Sequence, residues 1–456
     1  MLKEAHRYQT KCYNPKWQED MKLIFVENRY KTYFFEQISK QLDNQHEIYW
    51  IVQNHAFAPK TGTVLKIPYP KEKNLNRNFV DNPSIGKIIE SDRQVNYFKK
   101  NDKRYFQYYF ESIENLISEI GPSYVFGEAT AFHELLTIEV CKKREIKYLN
   151  PSSCRYPVGR FSFYLYDTLI PFKGSNEELT QEEGMEIVNS IANRNVKPDY
   201  MKPVTIPIKK KVADKLKILK SHYKGEQFNT PSPLVKFSLE RQKKINIERW
   251  QKIAVSDISS SSSAIVYALH MQPEANIDVW GRSHRNQLKT IKSIQARLLS
   301  GQTLYVKPNP KSKYELTQEL VEYIASQDAV EAIDINTPMT SIFNKIDLVV
   351  GVTGTIIMEC ILSDKPVITL VKTINNEAAN CLFAKDFDDL GEYFGYLAKG
   401  NFPHISDDEK LKFLNTINRT SYKGQVSDPF YSESSISSSN IALMHAAFKD
   451  VIKDKY

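Results

Sequence analysis

Residues 347–370 read DLVVGVTGTIIMECILSDKPVITL. An apolar run ending at Val352 turns through Thr353-Gly354-Thr355 straight into an apolar helical segment, and PVITL (366–370) follows as a second apolar run. Strand, tight turn, helix and strand in so few residues make a βαβ unit whose strands are buried on both faces, as in a parallel sheet covered by helices. Ligands of such sheets bind beyond the carboxyl ends of the strands, where this turn lies. A helix that starts at the turn offers unpaired backbone N–H groups and partial positive charge; Gly354 lets the backbone approach a phosphate, and Thr353 and Thr355 add hydroxyl donors. The plainer alternative, equally consistent with these residues, is that a threonine only caps the helix. Glu359 lies one turn beyond Thr355 on the same face, placed either to accept from ribose hydroxyls or simply to complement the helix dipole.

The same rhythm extends outward. AIVYALH (264–270), TLYVK (303–307) and AVEAID (329–334) read as strands, with helices in RNQLKTIKSIQARLL, KYELTQELVEYIAS and MTSIFNKI between them. Nearer the start, MKLIFVE (21–27), HEIYWIVQ (46–53), SYVFGE (123–128) and IKYLN (146–150) alternate with helical segments around a polar, proline-containing stretch at 55–100. The chain's 456 residues exceed what one core usually supports. The expected fold class is therefore α/β, with two doubly wound Rossmann-like domains facing a cleft. Residues 1–170 form the first domain and 259–425 the second, while 171–258, charged and without a clear strand, are a helical insertion and connection. Residues 426–456 end in an amphipathic helix, and Ser259–Ser263 read as a solvated linker.

Three further strand ends carry candidate site residues. In TLYVKPNP, Lys307 is a point charge suited to a phosphate, and Pro308 and Pro310 hold Asn309 in place; a rigid surface turn is the simpler reading. In YALHMQPEA, His270, Gln272 and Glu274 cluster after the strand that opens the second domain, at the floor of the cleft. In YVFGEATAFHELL, Glu128 follows a strand and a glycine, Gly127, that leaves room for a ligand, and His133 begins the next helix. Glu128 has the position of a general base or nucleophile. Arg155 and Arg160 follow another strand end, where they form a candidate anion clamp. Ordinary surface ion pairing is the simpler reading of each of these N-terminal residues.

Composition narrows the partners. Apolar residues make up 41% and charged residues 25%, the balance of a folded globular chain. A net charge of +8 favours anionic partners, whether a nucleotide, an acidic glycan or the anionic inner face of a membrane. The basic residues form no stripe interleaved with aromatics, so no nucleic-acid partner is expected. The five cysteines are widely spaced with no C-x-x-C pair, which supports neither a disulfide framework nor a zinc site. The first twenty residues are polar, and no apolar stretch is long enough to span a bilayer, so the expected location is cytoplasmic, at most resting on the membrane face.

LHMQPEA, LYVKPNP and VTGTIIMEC followed by DKPVI, in that order and spacing, resemble the capsular and surface polysaccharide biosynthesis proteins, a group that includes the bacterial Kdo transferases. The G-E-x-x-x-x-H-E stretch at 127–134 is similar as well; the resemblance covers 260–370 and, more loosely, 120–165. It implies the two-domain GT-B arrangement, with a nucleotide-activated sugar on the C-terminal domain, a glycan or lipid-linked acceptor on the N-terminal one, and a C-terminal helix within 426–456 that packs back on the N-terminal domain. Phosphate binding falls on Lys307, Asn309, Thr353 and Thr355, and the donor extends to a CMP-linked ulosonic acid such as Kdo. No metal and no cofactor beyond the donor are implied. One departure stands out: relatives usually carry histidine where this chain has Asn309, and an amide donates to a phosphate but cannot protonate a leaving group. The expected activity is glycosyl transfer in capsule or lipopolysaccharide assembly. The alternatives are a teichoic-acid-type polyol-phosphate transferase, which needs an in-line histidine base, and a non-catalytic glycan-binding or export-coupling protein.

Overall fold

Seven strands make each of two sheets. The computed structural model describes residues 20–75, 82–196, 198 and 204–453; Cys12 and the rest of the polar segment 1–19 lie outside the described residues. The first sheet contains β1 (Lys22–Val26), β2 (Glu47–Val52), β3 (Thr63–Lys66), β4 (Tyr124–Phe126), β5 (Lys147–Ser153) and β6 (Arg160–Leu165). Helices α1 (Lys31–Leu42), α2 (Pro83–Ser91), α3 (Arg93–Asn96), α4 (Arg104–Ile120) and α5 (Phe132–Lys143) connect them. Next come α6 (Gln181–Ala192), α7 (Ile208–Tyr223) and α8 (Pro233–Ile253). The second sheet contains β7 (Ala254–Val255), β8 (Ser263–Ala268), β9 (Gln302–Lys307), β10 (Val330–Ile333), β11 (Leu348–Gly351), β12 (Val367–Thr369) and β13 (Cys381–Phe383). Its helices are α9 (Ala275–Asp278), α10 (Gln287–Gln295), α11 (Gln318–Ala325), α12 (Met339–Ile342), α13 (Thr355–Leu362), α14 (Asp388–Ala398) and α15 (Asp407–Arg419). The chain ends with β14 (Tyr422–Lys423) and α16 (Ser438–Ile452).

The strand orders are β3-β2-β1-β4-β5-β6-β14 and β7-β10-β9-β8-β11-β12-β13. Setting aside the edge strands β14 and β7, both follow the 3-2-1-4-5-6 order of a Rossmann sheet, so the protein has two Rossmann-like α/β domains. All described pairings of the second sheet are parallel. Its central strands are apolar along their length because helices cover both faces: LVVG of β11 is wholly buried, as are the four central residues of β8. Helix α4 shows the complementary pattern. Tyr105, Phe106, Tyr109, Phe110, Ile113, Ile117 and Ile120 recur at helical spacing on its buried face, and Gly121, at φ +59°, closes it in the left-handed conformation glycine tolerates.

Several elements depart from the sequence reading. β3 lies inside the stretch read as irregular; as an edge strand it buries none of its four residues fully and carries no apolar run. β6 pairs antiparallel with β5, and β14 antiparallel with β6. The serine run is only partly linker, since Ser263 already belongs to β8. Residues 171–258, read as helical insertion and connection, are mainly helical among the described residues but end in the short strand β7; α6 packs with α13 and α15, α7 against the 3₁₀ turn His55–Phe57, and α8 against α11. Trp250 of α8 is fully buried and donates from Nε1 to the Ile333 carbonyl at 2.9 Å. Among the described residues no helix is long and apolar enough to cross a membrane.

The chain returns to the first domain at β14, ahead of residue 426 where the sequence reading placed the boundary. Helix α16 then lies on α1, and the fully buried Phe448 ring packs 4.8 Å from Phe126, 4.9 Å from Phe163 and 6.2 Å from Phe25. Phe448→Ala should therefore destabilise the N-terminal domain by ~3–5 kcal/mol, although the residue lies at the far end of the chain. Urea unfolding followed by a probe in that domain measures it, and a loss below ~1 kcal/mol would mean that α16 is peripheral to its core.

Candidate functional site

In each sheet the chain reverses its direction of winding beside the first strand, and the helices on either side diverge there. That switch point lies between β8 and β11 in the second domain and between β1 and β4 in the first. At the former, one cavity is lined by His270 and Glu274 beyond β8, Lys307 and Asn309 at the end of β9, and Thr353, Gly354, Thr355 and Glu359 on the β11–α13 turn and helix. Arg155 of the first domain also lines it, so the cavity belongs to the cleft between the domains. Arg155 holds φ +71°, a backbone conformation uncommon for a side-chain-bearing residue.

The charges around this cavity are unevenly matched. Lys307 is buried, and its Nζ donates to the carbonyls of Pro308 (3.1 Å) and Ile335 (3.2 Å). Among the described residues no carboxylate forms an ion pair with it, and burial lowers its pKa to about 8 against the weaker pull of Asp334. His270 is pushed down to about 4 by burial and then by the Arg155 charge, so it is neutral at pH 7. Its Nε2 accepts from the Thr353 N–H at 3.4 Å, while the Thr353 hydroxyl donates to the Asn276 carbonyl at 3.1 Å. Gly354, at φ +114°, precedes α13 with no side-chain cap, which leaves the helix N-terminus open to an anion. Asn309 accepts the Lys311 N–H on Oδ1 at 2.8 Å, so what its side chain offers a ligand is the Nδ2 donor. Glu359 is half-buried and held by Arg194 and, at 3.3 Å, by the Tyr156 hydroxyl. Burial raises its pKa against the Arg194 charge.

Other candidates are committed elsewhere. Gln272 is buried, donating to Asp278 (3.0 Å) and the Arg285 carbonyl (2.9 Å) and accepting from Gln287 (2.9 Å); it braces the loop and does not line the cavity. Arg160 is no anion clamp. It is buried and donates to Ser421, Glu177, Ser175 and the Asn418 carbonyl, tying β6 to the end of α15. Glu128 is paired with Lys31 and accepts from Asn28 at 3.1 Å. The space above Gly127 is not open to a ligand: a Cβ there would lie 2.3 Å from the Tyr148 hydroxyl, which donates to the Glu128 carbonyl at 2.5 Å. His133 is buried with both ring nitrogens engaged. Asn229 donates to Nδ1 (3.1 Å), so Nε2 carries the proton and donates to the Glu27 carbonyl (2.7 Å), which leaves no nitrogen for proton transfer.

The first domain's switch point sets His133 beside residues that the sequence reading missed: Glu27, Arg29, Arg93 and Asn229 line a cavity with it beyond β1. Glu27 is buried and accepts from the N–H groups of Arg29 (2.7 Å) and Asn54 (2.8 Å); burial raises its pKa against the opposing pull of His133. Part of the signal used for Glu128, a carboxylate at the end of an apolar strand, is present at Glu27 in LIFVE, though without a preceding glycine. A middle cavity shares Arg93 and Thr130 with this one and Glu274 with the cavity of the second domain. Among the described residues no group of three His, Cys, Asp or Glu side chains is arranged to hold a metal ion.

No protein-family model and no curated relative matches the chain. Among solved structures it is similar to the UDP-GlcNAc 2-epimerase from Methanocaldococcus jannaschii, at 12% identity and a TM-score of 0.27 over 87% of this chain and 99% of that one. It is also similar to the beta Kdo 2,4 transferase KpsC of Thermosulfurimonas dismutans, at 10% identity and a TM-score of 0.34 over 65% and 88% of the two chains. A third is MurG of Acinetobacter baumannii, at 8% identity and a TM-score of 0.25 over 88% and 94%. Likeness at this level carries no activity across, and the fold rests on the two sheets themselves.

Anion binding at Lys307 requires its charged form, which is lost as pH rises through about 8 in the free protein. Affinity for a phosphate-bearing ligand at this site should therefore fall above about pH 8, approaching tenfold per pH unit, with His270 contributing no slope there. Calorimetric titration between pH 7 and 9 measures it. Lys307→Met should bind more weakly at pH 7 and lose the slope; wild-type affinity in that variant would remove Lys307 from the site.

Proposed function

We propose that the protein transfers a sugar from a nucleotide-activated donor to a bacterial surface glycan. One observation carries the reading. Lys307, a buried lysine in no ion pair among the described residues, and the N-terminus of α13, without a side-chain cap, line one cavity at a Rossmann switch point, and Arg155 reaches it from the facing domain. Two such donors, with the Asn309 amide beside them, suit the phosphates of a nucleotide, and their role is to stabilise the phosphate as the sugar leaves. The resemblance to Kdo transferases extends the donor to a CMP-linked ulosonic acid. The polyol-phosphate alternative is less well supported, because His133 has no free nitrogen and Nε2 of His270 accepts from a backbone N–H.

The acceptor hydroxyl needs a base on the other side of the cleft. Burial raises both carboxylates at strand ends of the first domain, but Glu27 lines a cavity, whereas Glu128 is tied to Lys31. We assign the base to Glu27 in place of Glu128. Its deprotonated form does the work, so the acid limb of kcat/KM should lie above the ordinary carboxylate range and vanish in Glu27→Gln.

Two measurements test these assignments. Thermal-shift titration with CMP, UDP, GDP and ADP should single out one nucleotide, and stabilisation by none of them would sink the donor reading. With the donor so identified, Glu27→Gln should lower turnover ~100-fold or more with little change in nucleotide affinity, and Glu128→Gln should lower it only a few-fold. The reverse ranking would return the role to Glu128.

A further inference from the structure

Among the described residues, helix α7 carries more exposed large apolar side chains than any other helix. Ile208, Val212, Leu216, Leu219 and Tyr223 recur at intervals of four, four, three and four residues, which aligns them in one stripe along the helix. All five are exposed; Ile208 stands at 79%, Leu216 at 60% and Tyr223 at 76% of full exposure. Single exposed apolar residues need no explanation, but five in register form a contiguous patch that marks an interaction surface.

The flanks of the stripe are basic. Lys209 and Lys220 border it on one side and Lys211 and Lys215 on the other, and all four are exposed. The exposed face of α7 carries no acid; the helix's one acidic residue, Asp214, is half-buried. The opposite face holds the helix to the first domain. Lys217 lies 3.9 Å from the Phe57 ring centre and donates to the Tyr33 hydroxyl at 2.8 Å, and Ser221 donates to Asn54 at 3.0 Å. The helix is therefore anchored as well as amphipathic, with its apolar edge turned outward.

We infer that α7 docks the protein on an anionic lipid surface, its apolar stripe entering the headgroup boundary and the flanking lysines pairing with lipid phosphates. A Lys-bordered apolar stripe on a helix lying flat is the arrangement that binds such interfaces, with lysine stems following the apolar edge while their charges reach the headgroups. Charge decides the occupant. A second copy packed on the same stripe would bring lysine rows against lysine rows, whereas phospholipid headgroups complement both. This surface is independent of the nucleotide cavity, so its failure and the failure of the sugar-transfer reading are separable.

Co-sedimentation of the full chain with vesicles tests the proposal. The wild type should bind phosphatidylglycerol-containing vesicles at least tenfold more tightly than pure phosphatidylcholine ones, and less tightly as salt is raised. Leu216→Asp combined with Leu219→Asp should abolish binding, and Lys209→Gln combined with Lys220→Gln should weaken it selectively for the anionic vesicles. Both changes lie on exposed positions, so an unchanged melting temperature and unchanged nucleotide affinity are expected; Ile208→Gln serves as the milder variant should the double change disturb folding. Absence of vesicle binding by the wild type, or full binding by the leucine variant, would overturn the inference. So would concentration-dependent self-association, abolished by the same leucine change and unaccompanied by vesicle binding.

Discussion

A parallel sheet wound from its centre outward in both directions leaves an opening beside its first strand, because the helices on its two sides diverge there. Both sheets of this protein have that opening, at β1/β4 and at β8/β11, and the residues placed beyond these strands line the cavities of the cleft. Polar side chains collect at these strand ends and at the start of α13, where the regular ladders of sheet and helix stop. The cleft is where the topology leaves hydrogen-bonding capacity over.

Burial separates the charged groups into two kinds. Arg160 and Arg194 are partly or wholly withdrawn from water but have acidic partners, Glu177 and Glu359, and serve as struts. Withdrawing a charge without a partner is costly unless the group gives up its proton or a ligand supplies the counter-charge. Among the described residues Lys307 comes nearest to that situation: its pKa is lowered to about 8, its Nζ donates to two carbonyls, and Asp334 exerts only a weaker pull on it. An incoming phosphate would relieve the imbalance, and this distinguishes a binding cation from a structural one more sharply than its position in the sequence does.

The tail holds the first domain's core together from outside. β14 extends the first sheet, and Phe448 fills an aromatic cluster of residues drawn from β1, β4 and β6. The segment between β6 and β7 distributes its helices over both domains, so the connections across the cleft are covalent and packed at several places. One consequence is that the exposed face of α7 is fixed relative to the first domain's cavity through Ser221 and Asn54, the residue whose N–H also holds Glu27.

The sequence by itself determined the periodic parts: apolar runs of four to six residues alternating with helical spacing, the turn at 353–355, and the arrival of Lys307, Asn309 and His270 at strand ends. These are local properties, since burial on two faces demands a continuous apolar run and a strand's end is visible wherever that run stops. Elements too short or too exposed to carry a period, such as β3, β13 and β14, were not legible for the same reason. Only the tertiary structure decided which side chain meets which. It set Glu359 against Arg194, Glu128 against Lys31 and Arg160 against Ser421, and placed the Tyr148 hydroxyl in the space over Gly127. Those partners lie from 21 (Gly127 and Tyr148) to 261 residues apart in the chain. Hydrogen bonds and ion pairs act over a few ångströms, so which groups they join is settled only when packing brings distant segments together.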